Sequence, residues 1–313
     1  MNKLLLSLVV SMTAMLSNSA LASECSNDKI QLQILGSRGP ELLDSSASTG
    51  YLIWINDKAR ILIDAGPGSL QRFKSSDADF KDIDIVLLSH FHADHTIDFV
   101  SYIKAAQFTG RDRDLIIAGP SGSDFSASVS EFIHRSFDVK NGLYPYLANY
   151  ISDEYDSPFK LTPLEREWTY EDLSVQKLFS TDEYIISSVA VHHGAYPALG
   201  YRIDSQGCSI AFTGDMSGRL QSMPDLAKEV DILVAHMAIE EAAEGIPQIL
   251  HMKPSYIAEM AKEANVKHLV LSHFMSRSLK HLEQSLEIIR KSYDGPISLA
   301  EDLKLYKPVN IKQ

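Results

Sequence analysis

The chain has 313 residues and sets 41 acidic against 29 basic side chains, a formal net charge of −12. That length suffices for one large α/β domain with a sizeable core. The charge argues against a nucleic-acid partner, whose affinity rests largely on Lys and Arg neutralising phosphates, so no nucleic acid is expected. Only two cysteines occur, Cys25 and Cys208, too few for a thiolate zinc site; a metal here must be held by His and carboxylates.

Residues 1–22 read as a cleaved export signal. Lys3 supplies the positive start, an apolar run extends from Leu4 to about Leu16, and Ala20-Leu21-Ala22 closes with the small-residue pattern that signal peptidase reads. The run falls short of the roughly 20 apolar residues of a membrane span, which sets an uncleaved anchor second. Glu24 directly before Cys25 argues against a lipoprotein. Residues 23–313 are expected as one domain, periplasmic or secreted, with no stable membrane insertion. In an oxidising compartment Cys25 and Cys208 either pair or stay free, and the sequence leaves both open.

Short apolar runs then follow in order. Ile30–Leu35, Tyr51–Ile55 and Arg60–Ile63 read as strands, with Asn56-Asp57 as a hairpin turn. Ile83–Leu88, apolar except for Asp84, reads as a strand buried on both faces, and a helix is predicted from about Asp94 to Ala106. Leu115–Ala118 gives another strand. From about 121 to 184 helical stretches alternate with Ser, Asp and Pro and carry many aromatics, among them Phe125, Phe132, Tyr144 and Tyr146. This segment reads either as an insertion (a lid, a substrate wall or a homodimer contact) or as an ordinary helical connection. Strands return at Tyr184–Val191, Tyr201–Asp204 and Ser209–Phe212, the last two joined at Ser205-Gln206-Gly207. Helices are predicted at Arg219–Val230, Pro254–Ala264 and Ser278–Ser292, alternating with strands at Ile232–Ala235, His268–Leu271 and Ile297–Leu299. The order suits two similar halves.

The sharpest chemical signal is His90-Phe91-His92-Ala93-Asp94-His95, four candidate ligands at the end of a buried strand. Imidazole and carboxylate are the usual non-thiolate zinc ligands, and a strand end followed by a tight turn aims several of them at one volume. This H-x-H-x-D-H run resembles the hallmark of the metallo-β-lactamase superfamily. Asp64-Ala65-Gly66, Thr213-Gly214-Asp215 and Leu271-Ser272-His273 match further family elements across most of the chain.

The resemblance implies an α/β four-layer αββα sandwich and two zinc ions. One zinc would be held by His90, His92 and His193, the other by Asp94, His95 and His273, with Asp215 bridging. His192 is the alternative to His193, on the opposite face of its strand. Asp64 would support the site without binding metal. A metal-bridging hydroxide would be the nucleophile, with Asp94 orienting it and taking its proton.

Within the superfamily, the second half resembles the tRNA 3′-processing endonucleases and the arylsulfatases and phosphodiesterases allied to them. That likeness makes His251 the candidate general acid and His236 an orienting residue, whereas His134, His268 and His281 read as packing. The His193–Arg202 segment is closest to the arylsulfatase-like branch. The expected substrate is therefore a small anionic ester, an aryl sulfate or a phosphodiester. A zinc β-lactamase or lactonase is the alternative, and a non-catalytic metal-binding scaffold a second one.

Overall fold

The computed structural model describes Cys25 and residues 29–308, so the export-signal reading of residues 1–22 lies outside the described residues. The first half opens on a meander of β1 (Ile30–Gly36), β2 (Gly50–Ile55) and β3 (Lys58–Ile63). Helix α1 (Ser69–Ser75) leads to β4 (Ile85–Leu87); α2 (Ala93–Thr96) and α3 (Phe99–Ala106) lead to β5 (Leu115–Pro120). Helix α4 (Val129–Phe137) precedes β6 (Leu161–Arg166).

The second half repeats the plan. An antiparallel run of β7 (Gln176–Ser180), β8 (Tyr184–His193), β9 (Tyr196–Ser205) and β10 (Cys208–Phe212) comes first. Next come α5 (Met223–Leu226), β11 (Ile232–His236), α6 (Ile246–Leu250), α7 (Pro254–Glu263) and β12 (Leu269–Ser272). Helices α8 (Ser276–Lys280) and α9 (Leu282–Arg290), then β13 (Ile297–Leu299), complete that sheet, and β14 (Leu305–Tyr306) returns to pair with β1.

Two seven-stranded sheets result, in the orders β14-β1-β2-β3-β4-β5-β6 and β13-β12-β11-β10-β9-β8-β7. Residues from both sheets, including Ile34, Ile53, Leu199 and Val234, form the central core. The outer faces bury Ile103, Ile133 and Phe137 under the first helical layer and Leu226, Ile257 and Ile289 under the second. This is the expected four-layer αββα sandwich. Strands β4, β10 and β11 are buried along their whole length, as strands covered on both faces must be.

Local chemistry fixes the turns. Asn56 and Asp57 both take positive φ, 50° and 60°, which gives the β2–β3 hairpin the twist its strands require. Gln206 and Gly207 do the same between β9 and β10. Cys25 and Cys208 form a disulfide across a sequence separation of 183, tying the start of the described chain to β10. A cross-link closing so long a loop stabilises by about 2–5 kcal/mol.

Several expectations need correction. Residues 121–184 hold not only helix α4 but β6 and β7, one edge strand of each sheet. Both edges are half-exposed, so neither shows the apolar run that marks an inner strand. The helix expected over Arg219–Val230 shrinks to α5, because Gly218 sits at φ 77° and Pro224 starts a helix instead of continuing one. The helix expected from Asp94 is broken after Thr96; Asp98 turns its carboxylate to the backbone N–H of Leu70 at 3.1 Å. The predicted Ser278–Ser292 helix divides at His281, whose φ of −113° is not helical. Among the described residues no helix is long and apolar enough to cross a membrane.

Candidate metal centre

The parallel strands β4, β11 and β12, with β8 and β10, all end at one edge of the sandwich. Loops leaving these C-terminal ends carry His90, Asp215 and His273, while β11 ends in His236 and β8 in His193. Ligand sites in α/β sheets gather at such strand ends.

Asp64 organises the first loop from φ 54°, a backbone state Asp tolerates better than most residues. Its Oδ1 accepts from the Ser89 backbone N–H at 2.7 Å, and its Oδ2 accepts from Ser89 Oγ and His95 Nδ1, both at 2.8 Å. His95 Nε2 is thereby left with its lone pair facing inward. Ser89 Oγ in turn lies 3.1 Å from His90 Nδ1, which donates to it. His90 Nε2 is fully buried and has no hydrogen-bond partner. His193 Nδ1 donates to the Leu250 carbonyl at 2.8 Å, so its Nε2 faces His92 Nδ1 as a bare acceptor at 3.2 Å.

Two triads emerge. The ligand atoms of His90, His92 and His193 lie within 4.8 Å of one another, and so do those of Asp94, His95 and His273. Asp215 joins them: it groups with His90 and His95 on one side and with His236 and His273 on the other. His273 Nε2 stands 3.2 Å from Asp94 Oδ2 and 3.4 Å from Asp215 Oδ1. His95 Nε2 stands 3.6 Å from Asp215 Oδ2. His192 faces away, with Nδ1 2.7 Å from Ser217 Oγ and its ring stacked on Tyr170.

The electrostatics suit cations. Burial pushes His90 far down and His193 down to about 3, which keeps both rings neutral with a lone pair to offer. Burial also works against ionised Asp215, yet the imidazoles of His273, His251 and His95 overcome it and hold the carboxyl well below its usual range. A buried nitrogen with no partner, a bare acceptor facing a second imidazole and two ionised carboxylates together fit metal ions bound by N and O ligands.

His251, just past α6, brings Nδ1 to 3.6 Å from Asp215 Oδ2, and that nitrogen has no hydrogen-bond partner. Burial pushes its pKa down to about 4, so the free ring is neutral near pH 7 and holds a proton only when an anionic phosphate lies beside it. His236 donates from Nδ1 to Asp215 Oδ1 at 2.7 Å, the geometry of a residue that orients the carboxylate. Behind it, Tyr51 OH lies 2.9 Å from both His236 Nε2 and Ser272 Oγ. Sequence reasoning missed Tyr51, which sits on β2 outside every motif, and Tyr196, whose ring packs edge-on against His92 at 4.6 Å. Only the alternation of β2, which turns Tyr51 toward the second sheet, could have pointed to the former. His268 pairs with Ser298, as a packing residue would.

The profile of the beta-lactamase superfamily domain matches residues 59–274, well over half of the chain and every residue of both triads. The chain belongs to this superfamily. Among curated superfamily relatives, Ribonuclease Z of Thermoplasma volcanium is 26% identical over 273 residues, covering 79% of this chain and 88% of the relative. Human tRNase Z, short form, superposes with a TM-score of 0.70 at 19% identity, covering 89% of this chain and 99% of that one. The metallo-beta-lactamase fold protein YhfI of Bacillus subtilis gives a TM-score of 0.67 at 18% identity, covering 90% of this chain and 100% of its own. These two structures establish the fold.

The expectation of a metal-dependent hydrolase acting on ester bonds stands with these relatives. The expectation that no nucleic acid is a partner does not. Relatives aligned along most of the chain are named Ribonuclease Z, and a net charge summed over the whole surface says little about the sign inside one cleft. The aryl-sulfate half of the substrate expectation finds no support among these relatives; the phosphodiester half does.

Proposed function

We propose that this chain is a dinuclear zinc phosphodiesterase acting on nucleotide esters of the RNA type. The observation that carries the reading is the convergence of two ligand triads on one shared carboxylate, Asp215. His90, His92 and His193 would hold one zinc, Asp94, His95 and His273 the other, and Asp215 both. Zinc bound there supplies Lewis acidity and brings the pKa of a shared water toward neutrality.

The chain's own groups divide the remaining work. Asp94, an ionised carboxylate, orients the attacking water and accepts its proton. As the new P–O bond forms and the ester P–O bond breaks, His251 gives a proton to the departing oxygen. The products are a phosphomonoester and an alcohol. His236, backed by Tyr51, keeps Asp215 in position.

A substrate panel tests the reading: bis(p-nitrophenyl) phosphate, a short RNA oligonucleotide, p-nitrophenyl sulfate and a chromogenic cephalosporin, each with and without chelator. Chelator-sensitive cleavage of the phosphodiester and the RNA is expected, with Asp94→Ala as the control for contaminating nucleases. Turnover confined to the sulfate or the cephalosporin would overturn it.

Export belongs to the same proposal. The signal-like residues 1–22 and the Cys25–Cys208 disulfide, a bond rare in reducing cytosol, both support it. Protein recovered from the periplasm or medium should start at Ser23 on N-terminal sequencing; full-length protein retained in the cytoplasm would rule export out.

A further inference from the structure

Beside the metal centre lies a second feature that the ligand set does not use. A cavity of about 320 Å³ opens next to His92, between the Ser123–Ser126 turn, α4 and the start of β9. His92 lines it on the metal side together with Tyr196. Its floor is Phe91 stacked on Phe132, ring centres 5.0 Å apart, with Phe132 packed in turn on Phe99. Its lips are Phe125 and Leu143, exposed to 71% and 79%. Arg135 borders it, its guanidinium paired among the described residues with Glu131 one helical turn away.

Single exposed apolar side chains are ordinary on a protein surface. Two at the mouth of one cavity, over an aromatic floor and one imidazole ring from the metal ligands, are not. The volume sits at the low end of the roughly 300–1,000 Å³ typical of small-molecule sites, room for one nucleoside and not for an oligomer. A planar base stacks on aromatic faces whatever its hydrogen-bonding edge. An exposed i,i+4 ion pair contributes little, so Arg135 can leave Glu131 for a phosphate at small cost.

We infer that the cavity walled by Phe125, Phe132, Leu143 and Tyr196 is a nucleobase subsite, holding the nucleoside attached to the scissile phosphate while Arg135 meets the next phosphate along the chain. The inference rests on the phosphodiesterase reading above and names its substrate class: esters with a base on the retained side, in preference to simple alkyl phosphodiesters.

Two substrates with one leaving group isolate the subsite: thymidine 5′-(p-nitrophenyl phosphate) and methyl p-nitrophenyl phosphate. The wild type should favour the nucleotidyl ester in kcat/KM by about 5- to 150-fold, the range of one base–aromatic stack. In the Phe125→Ala/Leu143→Ala double variant that ratio should fall toward one. In Tyr146→Ala, an exposed aromatic of the same segment outside the cavity, it should stay. A wild-type ratio near one, or a ratio unchanged in the double variant, would overturn the subsite. Saturation-transfer NMR with thymidine 5′-monophosphate against ribose 5-phosphate separates the two claims. If neither ester is cleaved the phosphodiesterase reading fails, yet base-dependent binding lost in the double variant would still uphold the subsite, and binding indifferent to the base would remove it.

Discussion

Replacing Asp215 with Ala is expected to cut bound zinc from about two ions per chain to one or fewer and to lower phosphodiester turnover by at least about 10²–10³-fold. The carboxylate is 2% exposed and sits among His95, His236, His251 and His273, each with a ring nitrogen within 3.6 Å of one of its oxygens. Among the described residues no other acidic side chain joins groups drawn from both triads. Removing it takes the shared anion from between two sites that would each carry a dication. Asp215→Asn sharpens the test, since the amide keeps the volume and can still accept from His236 Nδ1 but carries no charge. If the shared charge is what counts, Asn should lose zinc as Ala does; if Asp215 only shapes the loop, Asn should keep it. Metal content measured by elemental analysis decides between these, and a variant that retains both ions would sink the bridging role.

The site was legible in sequence where its chemistry is local. His90, His92, Asp94 and His95 lie within one turn after a strand whose apolar run announces burial on both faces, so type and spacing carry the inference unaided. Asp215 and His273 are single residues 120 or more positions away, and only the likeness to a known family drew them in. Tyr51 was invisible, because a tyrosine on a buried strand looks the same whether it fills space or holds a histidine. In the fold, inner strands and primed turns were readable, whereas β6 and β7 were not: an edge strand with alternate residues in water has the composition of a loop. The exclusion of nucleic acid failed for a different reason. Net charge is a sum over the whole surface and does not report the local field inside one cleft.

His251→Ala should separate leaving-group assistance from metal binding. The ring stands 5.7 Å, centre to centre, from both His193 and His273 and is the one histidine near Asp215 that keeps some exposure, 12% of its side chain. It belongs to neither triad, so the variant should retain its zinc. Its effect should depend on the substrate. A ribose 3′-oxygen leaves as a strongly basic alkoxide and needs a proton in the transition state, so RNA cleavage should fall by about 10²–10⁴-fold. A p-nitrophenolate leaves without one, so bis(p-nitrophenyl) phosphate turnover should fall far less. A residue that only fills space beside Asp215 would depress both substrates equally, as would one that tunes the metals. Equal losses on the two esters, with zinc retained, would therefore remove His251 from proton transfer and leave it a packing role. Loss confined to the RNA would assign it the departing oxygen, because no other unpartnered ring nitrogen beside Asp215 lies outside the two triads among the described residues.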